Sequence, residues 1–157
     1  MRHGDLQFLE LGRSCVLASY RNKRTVELLW HDIAGYLRQN LTDVMFGCAI
    51  LDGTDPGSWR CRYRTCSTTR APEAWRARAL PERYVEMTRI SKEEIDPKEA
   101  LCALPPLIKG YLRLGAYIGD GAVIDHEFGT TGVLIVLPVS AIKKRYIEHF
   151  AVSRQAA

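Results

Sequence analysis

An α/β fold is predicted for this chain by two observations. Residues 6–51 read as strand, helix and buried strand, and residues 119–139 read as two further β runs about a glycine-rich turn. In the first pattern the helix carries the chain back, so the second strand should run parallel to the first as a βαβ unit.

Each element has its own warrant. "LQFLELGRSCVL" (6–17) is an apolar run of strand length. From Thr25, the apolar positions Val26, Leu29, Trp30, Ile33 and Leu37 recur with the spacing of one helical face; Thr25 is the expected N-cap, and the helix should end near Asn40. "VMFGCAIL" (44–51) is apolar throughout, as a strand covered on both faces would be, and "DGTDPGS" then turns the chain. Residues 97–119 place Leu101, Leu104, Leu107, Ile108, Tyr111, Leu112 and Leu114 at helical spacings, with a break or restart at Pro105 and Pro106. The β runs that follow turn at Gly129, and "VSAIKKRYIEHF" reads as a last amphipathic helix from near Ser140.

Size and composition narrow the functional class. With 157 residues, 46% apolar and 25% charged, a single domain over 1–157 with one core is expected. No apolar run approaches the roughly 20 residues of a membrane span, and "MRHGDLQFLELGRSC" lacks the apolar centre of a signal peptide, so a cytoplasmic location is expected. The five cysteines at 15, 48, 61, 66 and 102 show no Cys-x-x-Cys spacing; they read as free thiols, mostly buried, with no metal site. The net charge of +4 is concentrated in residues 59–78, which hold six arginines against one glutamate and leave the rest slightly acidic. Basicity confined to one segment is a poor warrant for a nucleic-acid partner, and none is expected.

The sharper signal is "YRNKRTVELLW" (20–30), where Arg21, Lys23 and Arg24 stand at the start of a helix. A helix N-terminus is already positive, so cations there imply an anion to offset them. In a βαβ unit this loop lies at the carboxyl ends of the strands, where open α/β sheets bind ligands; a phosphate is the expected group.

"LELGRSCVLASYRNKRTVELLW", "DVMFGCAILDGTDP", "RAPEAWRARALPERYVEM" and "LPPLIKGYLRLGAYIGDGAVIDHEFGTTGVLIVLPVSAI" resemble the ornithine N-acyltransferases that make lyso-ornithine lipid, hemolysin-like members of the GNAT acyltransferases. The resemblance spans nearly the whole chain apart from residues 58–69 and the last few. It implies a GNAT-like mixed sheet flanked by helices, with the first strands of that fold lying before this chain. It also implies transfer of a 3-hydroxyacyl group from acyl carrier protein to the α-amino group of ornithine, the first step of ornithine lipid synthesis. No cofactor is implied beyond the acyl-phosphopantetheine of that carrier. Residues 58–69 are expected to come from a short out-of-frame stretch, because one back-translation read a base earlier gives Leu-Ala-Leu-Pro-Leu-Ser-Tyr-Leu.

By the same resemblance, residues 6–17 correspond to the strand that carries the acyl donor. Arg21, Asn22, Lys23, Arg24 and Thr25 correspond to its phosphate-binding loop. That loop usually reads Gln/Arg-x-x-Gly-x-Gly/Ala; here Arg24 and Val26 occupy the glycine positions, which suits the single phosphate of phosphopantetheine and the acidic surface of a carrier protein. Glu10 and Arg13 resemble a Glu-x-x-Arg pattern of acyl-homoserine-lactone synthases. A β-bulge near Gly12 would bring both onto one face, with Glu10 receiving the amine proton and Arg13 as its charge partner or a carboxylate binder; a structural ion pair is the competing reading. Asp125 resembles a position beside the acceptor region, although a turn-capping role fits it equally. His126 reads as a solvent-facing or satisfied histidine, and Cys48 as core. The alternative to an active enzyme is a non-catalytic remnant that binds the carrier protein, or the inner-membrane surface peripherally, through its basic loop and "KKRYIEHF".

Overall fold

The computed structural model describes residues 5–12, 15–55, 71–87, 104–146 and 148. In chain order the principal elements are β1 (Phe8–Glu10), α1 (Lys23–Gln39), β2 (Val44–Asp52), α2 (Pro106–Leu114), β3 (Tyr117–Asp125) and β4 (Thr130–Pro138). The four strands form one mixed sheet in the order β1-β2-β4-β3: β1 is parallel to β2, and β4 is antiparallel to both β2 and β3. The α/β fold and the βαβ unit are as the sequence predicts.

Both helices lie on the same face of the sheet. Met45, Ala49 and Leu51 of β2 with Val133, Ile135 and Leu137 of β4 are buried there, joined by Ile108 and Leu114 of α2 and by Trp30, Ile33 and Leu37 of α1. Trp30 and Tyr111 seal the two helices together edge to face, with ring centroids 5.4 Å apart. Segment 71–87 runs along the outer edge of β3, held by bridges from Arg78 to Asp120 and from Val85 to Ala122.

Five expectations need correction. The first strand is three residues long because β1 leaves its partner early. The amide of Leu11 still donates to the Phe46 carbonyl at 2.7 Å, but the Leu11 carbonyl oxygen then crosses over Gly47, where a β-carbon would meet it at 2.7 Å. Only glycine accommodates that crossing. Second, α1 starts at Lys23, not after Thr25, because the Asn22 side chain accepts from the Thr25 amide at 3.0 Å and acts as the cap; the end near Asn40 is as expected. Third, β2 is covered on both faces only at its start, where Val44 and Met45 are both buried; beyond Phe46 one face opens, with Cys48 exposed and Ile50 52% exposed. Cys48 is therefore not core, and Cys15 is exposed too, so neither described cysteine is buried. Fourth, α2 begins at Pro106 and stops at Leu114, and residues from Tyr117 onward form β3. Pro106 occupies the first turn, where its missing N–H costs nothing. After β4, Val139–Ala141 is a single 3-10 turn in place of the expected helix start. Residues 56–70, and with them the out-of-frame expectation, lie outside the described residues, as do 88–103.

Candidate functional site

The site is built where β1 and β2 part. Phe46 is the last β2 residue paired with β1, although β2 continues to Asp52. Along β2 the odd positions turn their backbone groups toward β4, as the Val139 amide donating to the Asp43 carbonyl at 2.8 Å illustrates. Strand alternation therefore turns the N–H and C=O of Cys48 and Ile50 toward the side that β1 has vacated. Among the described residues no strand fills that gap, and an extended chain bearing amides is the chemistry that such an edge accepts.

Glu10 ends β1 opposite Phe46 and projects on the face away from α1 and α2, exposed beside the gap. Its carboxylate leans forward along its own chain: a β-carbon at Gly12 would stand 3.1 Å from Glu10 Oε1. Arg13 lies outside the described residues, so the Glu10–Arg13 pairing and the bulge meant to align the two are not described.

At the mouth of the gap, the chain runs through a 3-10 turn, Ala18–Tyr20, into α1. The Asn22 cap satisfies the Thr25 amide and the Asn22 carbonyl accepts from the Val26 amide at 3.3 Å, while the amides of Lys23 and Arg24 at the helix tip carry no intrahelical bond. The five loop residues do not act alike. Arg21 spends its Nε on the Val16 carbonyl at 3.0 Å, bracing the turn. Asn22 and Thr25 form the cap. Lys23 pairs with Glu27 at 3.5 Å in an exposed i,i+4 contact, and Arg24 makes no ion pair among the described residues. No acidic residue stands in the first turn. The mouth therefore combines free helix-tip amides with an uncommitted guanidinium.

Asp125 pairs with Thr130, level with Asp52, whereas Glu10 is level with Phe46 and Tyr117; Asp125 is therefore three strand spacings, roughly 14 Å, across the sheet and roughly 20 Å along the strands from the end of β1. Its Oδ1 accepts from the amides of Glu127 at 3.0 Å and Phe128 at 3.1 Å, which is the turn-capping role. Asp125 and His126 line a separate open cleft of about 570 Å³ with Glu82, Arg83 and Tyr84. Glu10 and Arg21–Thr25 thus share only the connection from β1 to α1, and Asp125 stands apart from both.

Two features escaped sequence reasoning. The Tyr84 hydroxyl lies 2.9 Å from Glu86 Oε2 and 3.3 Å from Asp120 Oδ1, with the Arg78 guanidinium over its ring at 4.6 Å. Burial first, and then the bond to Glu86, raise its pKa above the ordinary tyrosine value. The contact from Tyr84 to Asp120 joins residues 36 apart, so no local pattern announces it. His31 is buried within α1, at a position where helical spacing of apolar residues says nothing of it. Among the described residues no group of His, Cys, Asp and Glu is arranged to hold a metal ion.

A model of the acetyltransferase (GNAT) domain matches residues 1–31, the segment holding β1, the turn and the start of α1. An L-ornithine N(alpha)-acyltransferase of Brucella abortus (strain 2308) is 52% identical over 150 residues, 93% of this chain and 52% of that protein. The chain is homologous to the L-ornithine N(alpha)-acyltransferases. Proteins of the same name from Agrobacterium fabrum and Rhizobium meliloti are each 49% identical, over 95% of this chain and 51% of their own length. The chain thus spans about half the length of the curated relatives it matches. No solved structure gives a significant match.

Proposed function

We propose that this chain takes part in transferring an acyl group from a phosphopantetheine thioester on acyl carrier protein to the α-amino group of ornithine. The observation that carries the reading is the identity to proteins named L-ornithine N(alpha)-acyltransferase over nearly the whole chain, which includes the parted β1–α1–β2 unit. In this reading the phosphate sits at the tip of α1 against the Lys23 and Arg24 amides and the Arg24 guanidinium. The pantetheine amides lie along the open edge of β2, bringing the thioester next to Glu10. The amine nitrogen attacks the thioester carbonyl, a C–N bond forms, the C–S bond breaks, and the thiolate leaves on the carrier. Glu10 takes the proton that the amine sheds, directly or through water, and the thiol is restored by protonation. Arg13 serves as the charge partner of Glu10 or binds the ornithine carboxylate. The Gly12 amide, next along the chain from the last ladder bond, is the proposed donor to the tetrahedral oxyanion.

The test is direct: purified chain is incubated with 3-hydroxyacyl carrier protein and ornithine, and lyso-ornithine lipid is sought by mass spectrometry. Product from ornithine, lost on Glu10→Gln, is the expected result. Carrier protein that docks equally well on the parent and on Arg24→Glu would overturn the placement of the phosphate. A second reading, carrier binding without turnover, rests on the free Lys23 and Arg24 amides and the Arg24 guanidinium at the tip of α1 alone. Docking with no product under any condition would select it.

A further inference from the structure

We propose that the apolar cavity under the second half of α1 binds a free fatty acid, its alkyl chain inside and its carboxylate at the rim. The cavity holds about 220 Å³, and its walls come from four parts of the fold: Ala34 and Leu37 of α1, Met45 of β2, Leu114 of α2, and Ile142 and Tyr146 beyond β4. These walls are tied to one another. The Val139 amide donates to the Asp43 carbonyl at 2.8 Å, and the left-handed Gly115 that ends α2 sits against Ala141, whose carbonyl oxygen a β-carbon would meet at 2.9 Å. An engineered apolar cavity of about 150 Å³ takes benzene, so a short run of methylenes fits here. Leaving the space empty is costly, because the lining atoms forfeit contacts that a close-packed interior makes, and water finds too few polar partners to replace them. The cavity is separate from the gap beside Glu10. It lies on the helix-bearing face of the sheet, Glu10 projects on the other, and the paired residues 8–10 and 44–46 stand between them.

Charge selects the head group. Arg38 lines the rim, exposed and without an ion pair among the described residues. Its guanidinium folds back along α1 toward Gly35, from where an exposed side chain can turn to a ligand. The Arg145 guanidinium lies 4.8 Å from the centre of the Tyr146 ring, one wall of the cavity, and donates to the Tyr146 hydroxyl at 3.2 Å. The acidic groups adjoining these walls are committed elsewhere: Asp43 accepts from the Gln7 amide at 2.8 Å, and Glu148 pairs with Lys144 at 3.7 Å. An apolar space with two guanidiniums against its rim fits one alkyl chain ending in a carboxylate. N-acyl ornithine, the product in the acyl-transfer reading, fits less well, since its ammonium would face the same guanidiniums.

The experiment is calorimetric titration of the full chain with decanoate below its micellar concentration. One saturable site is expected, with butyrate and decyltrimethylammonium each at least about tenfold weaker. Ala34→Phe and, more mildly, Ile142→Phe fill the cavity and should each weaken decanoate by about tenfold with an unchanged circular dichroism spectrum; if the first does not fold, the second decides. Arg38→Gln combined with Arg145→Gln should weaken decanoate severalfold and leave decyltrimethylammonium no weaker. Leu107→Glu, at an exposed position of α2 outside the cavity, should change nothing. A folded chain with no saturable decanoate site overturns the proposal, and so does equal binding of decanoate and decyltrimethylammonium, or undiminished binding in a folded Ile142→Phe. Tighter binding of N-decanoyl-ornithine than of decanoate overturns the choice of occupant in favour of the reaction product.

Discussion

Glu10 is the residue on which the proposed chemistry turns, because its carboxylate is the acidic side chain at the end of β1 where the strands part. Glu10→Gln keeps the shape and removes the base. Transfer should fall by about 10²–10⁴-fold while docking of the loaded carrier is unchanged, measured as kcat/KM beside a binding isotherm. If carrier docking falls with it, Glu10 is structural. Gly47 decides the geometry instead of the chemistry. A β-carbon there meets the Leu11 carbonyl oxygen at 2.7 Å, and the neighbour is backbone, so β1 must shift. Gly47→Ala should cost about 1–3 kcal/mol in urea unfolding and impair transfer even at temperatures where the variant stays folded.

At the scale of elements, α1 is set by its cap and not by its periodicity. Asn22→Ala removes the acceptor for the Thr25 amide and should cost about 1 kcal/mol of unfolding free energy; Thr25→Ala, which keeps that amide and the Asn22 cap, should cost less. Urea denaturation of the pair checks the order, and equal losses would restore Thr25 as the cap. The contrast also shows what the sequence disclosed. The β1–α1–β2 order, the Gly129 hairpin and the proline start of α2 were legible because apolar period and turn residues are local signals. The length of β1 was not, since it ends where a neighbouring strand's glycine lets the backbone cross, a contact over 36 positions from Leu11 to Gly47. The exposed Cys48 misled for a related reason: an apolar run says a strand is buried but not on how many faces. Of the site, the cationic turn was readable from composition, yet the division of labour among Arg21, Asn22, Lys23 and Arg24 needed coordinates.

The whole molecule carries a pH limit that follows from two tyrosines placed at different joints. Tyr111 packs against Trp30 between the two helices, and burial raises its pKa; Tyr84 ties segment 71–87 to β3, with burial and then Glu86 and Asp120 raising its own. Both hydroxyls hold their protons more tightly in the fold than in the unfolded chain, where tyrosine titrates near about 10. Between those values the native state binds more protons than the unfolded one, so stability falls as pH rises. The contribution is complete below about pH 10 and is lost as pH climbs through the folded values. A tyrosinate at Tyr84 would also face the Glu86 and Asp120 carboxylates, so segment 71–87 should loosen from the β3 edge as the alkaline limb begins. Tyr84→Phe and Tyr111→Phe should each flatten the decline in unfolding free energy measured from about pH 8 to about pH 11, and the double variant should flatten it most. Parallel curves for the parent and the double variant would mean that neither hydroxyl is linked to folding.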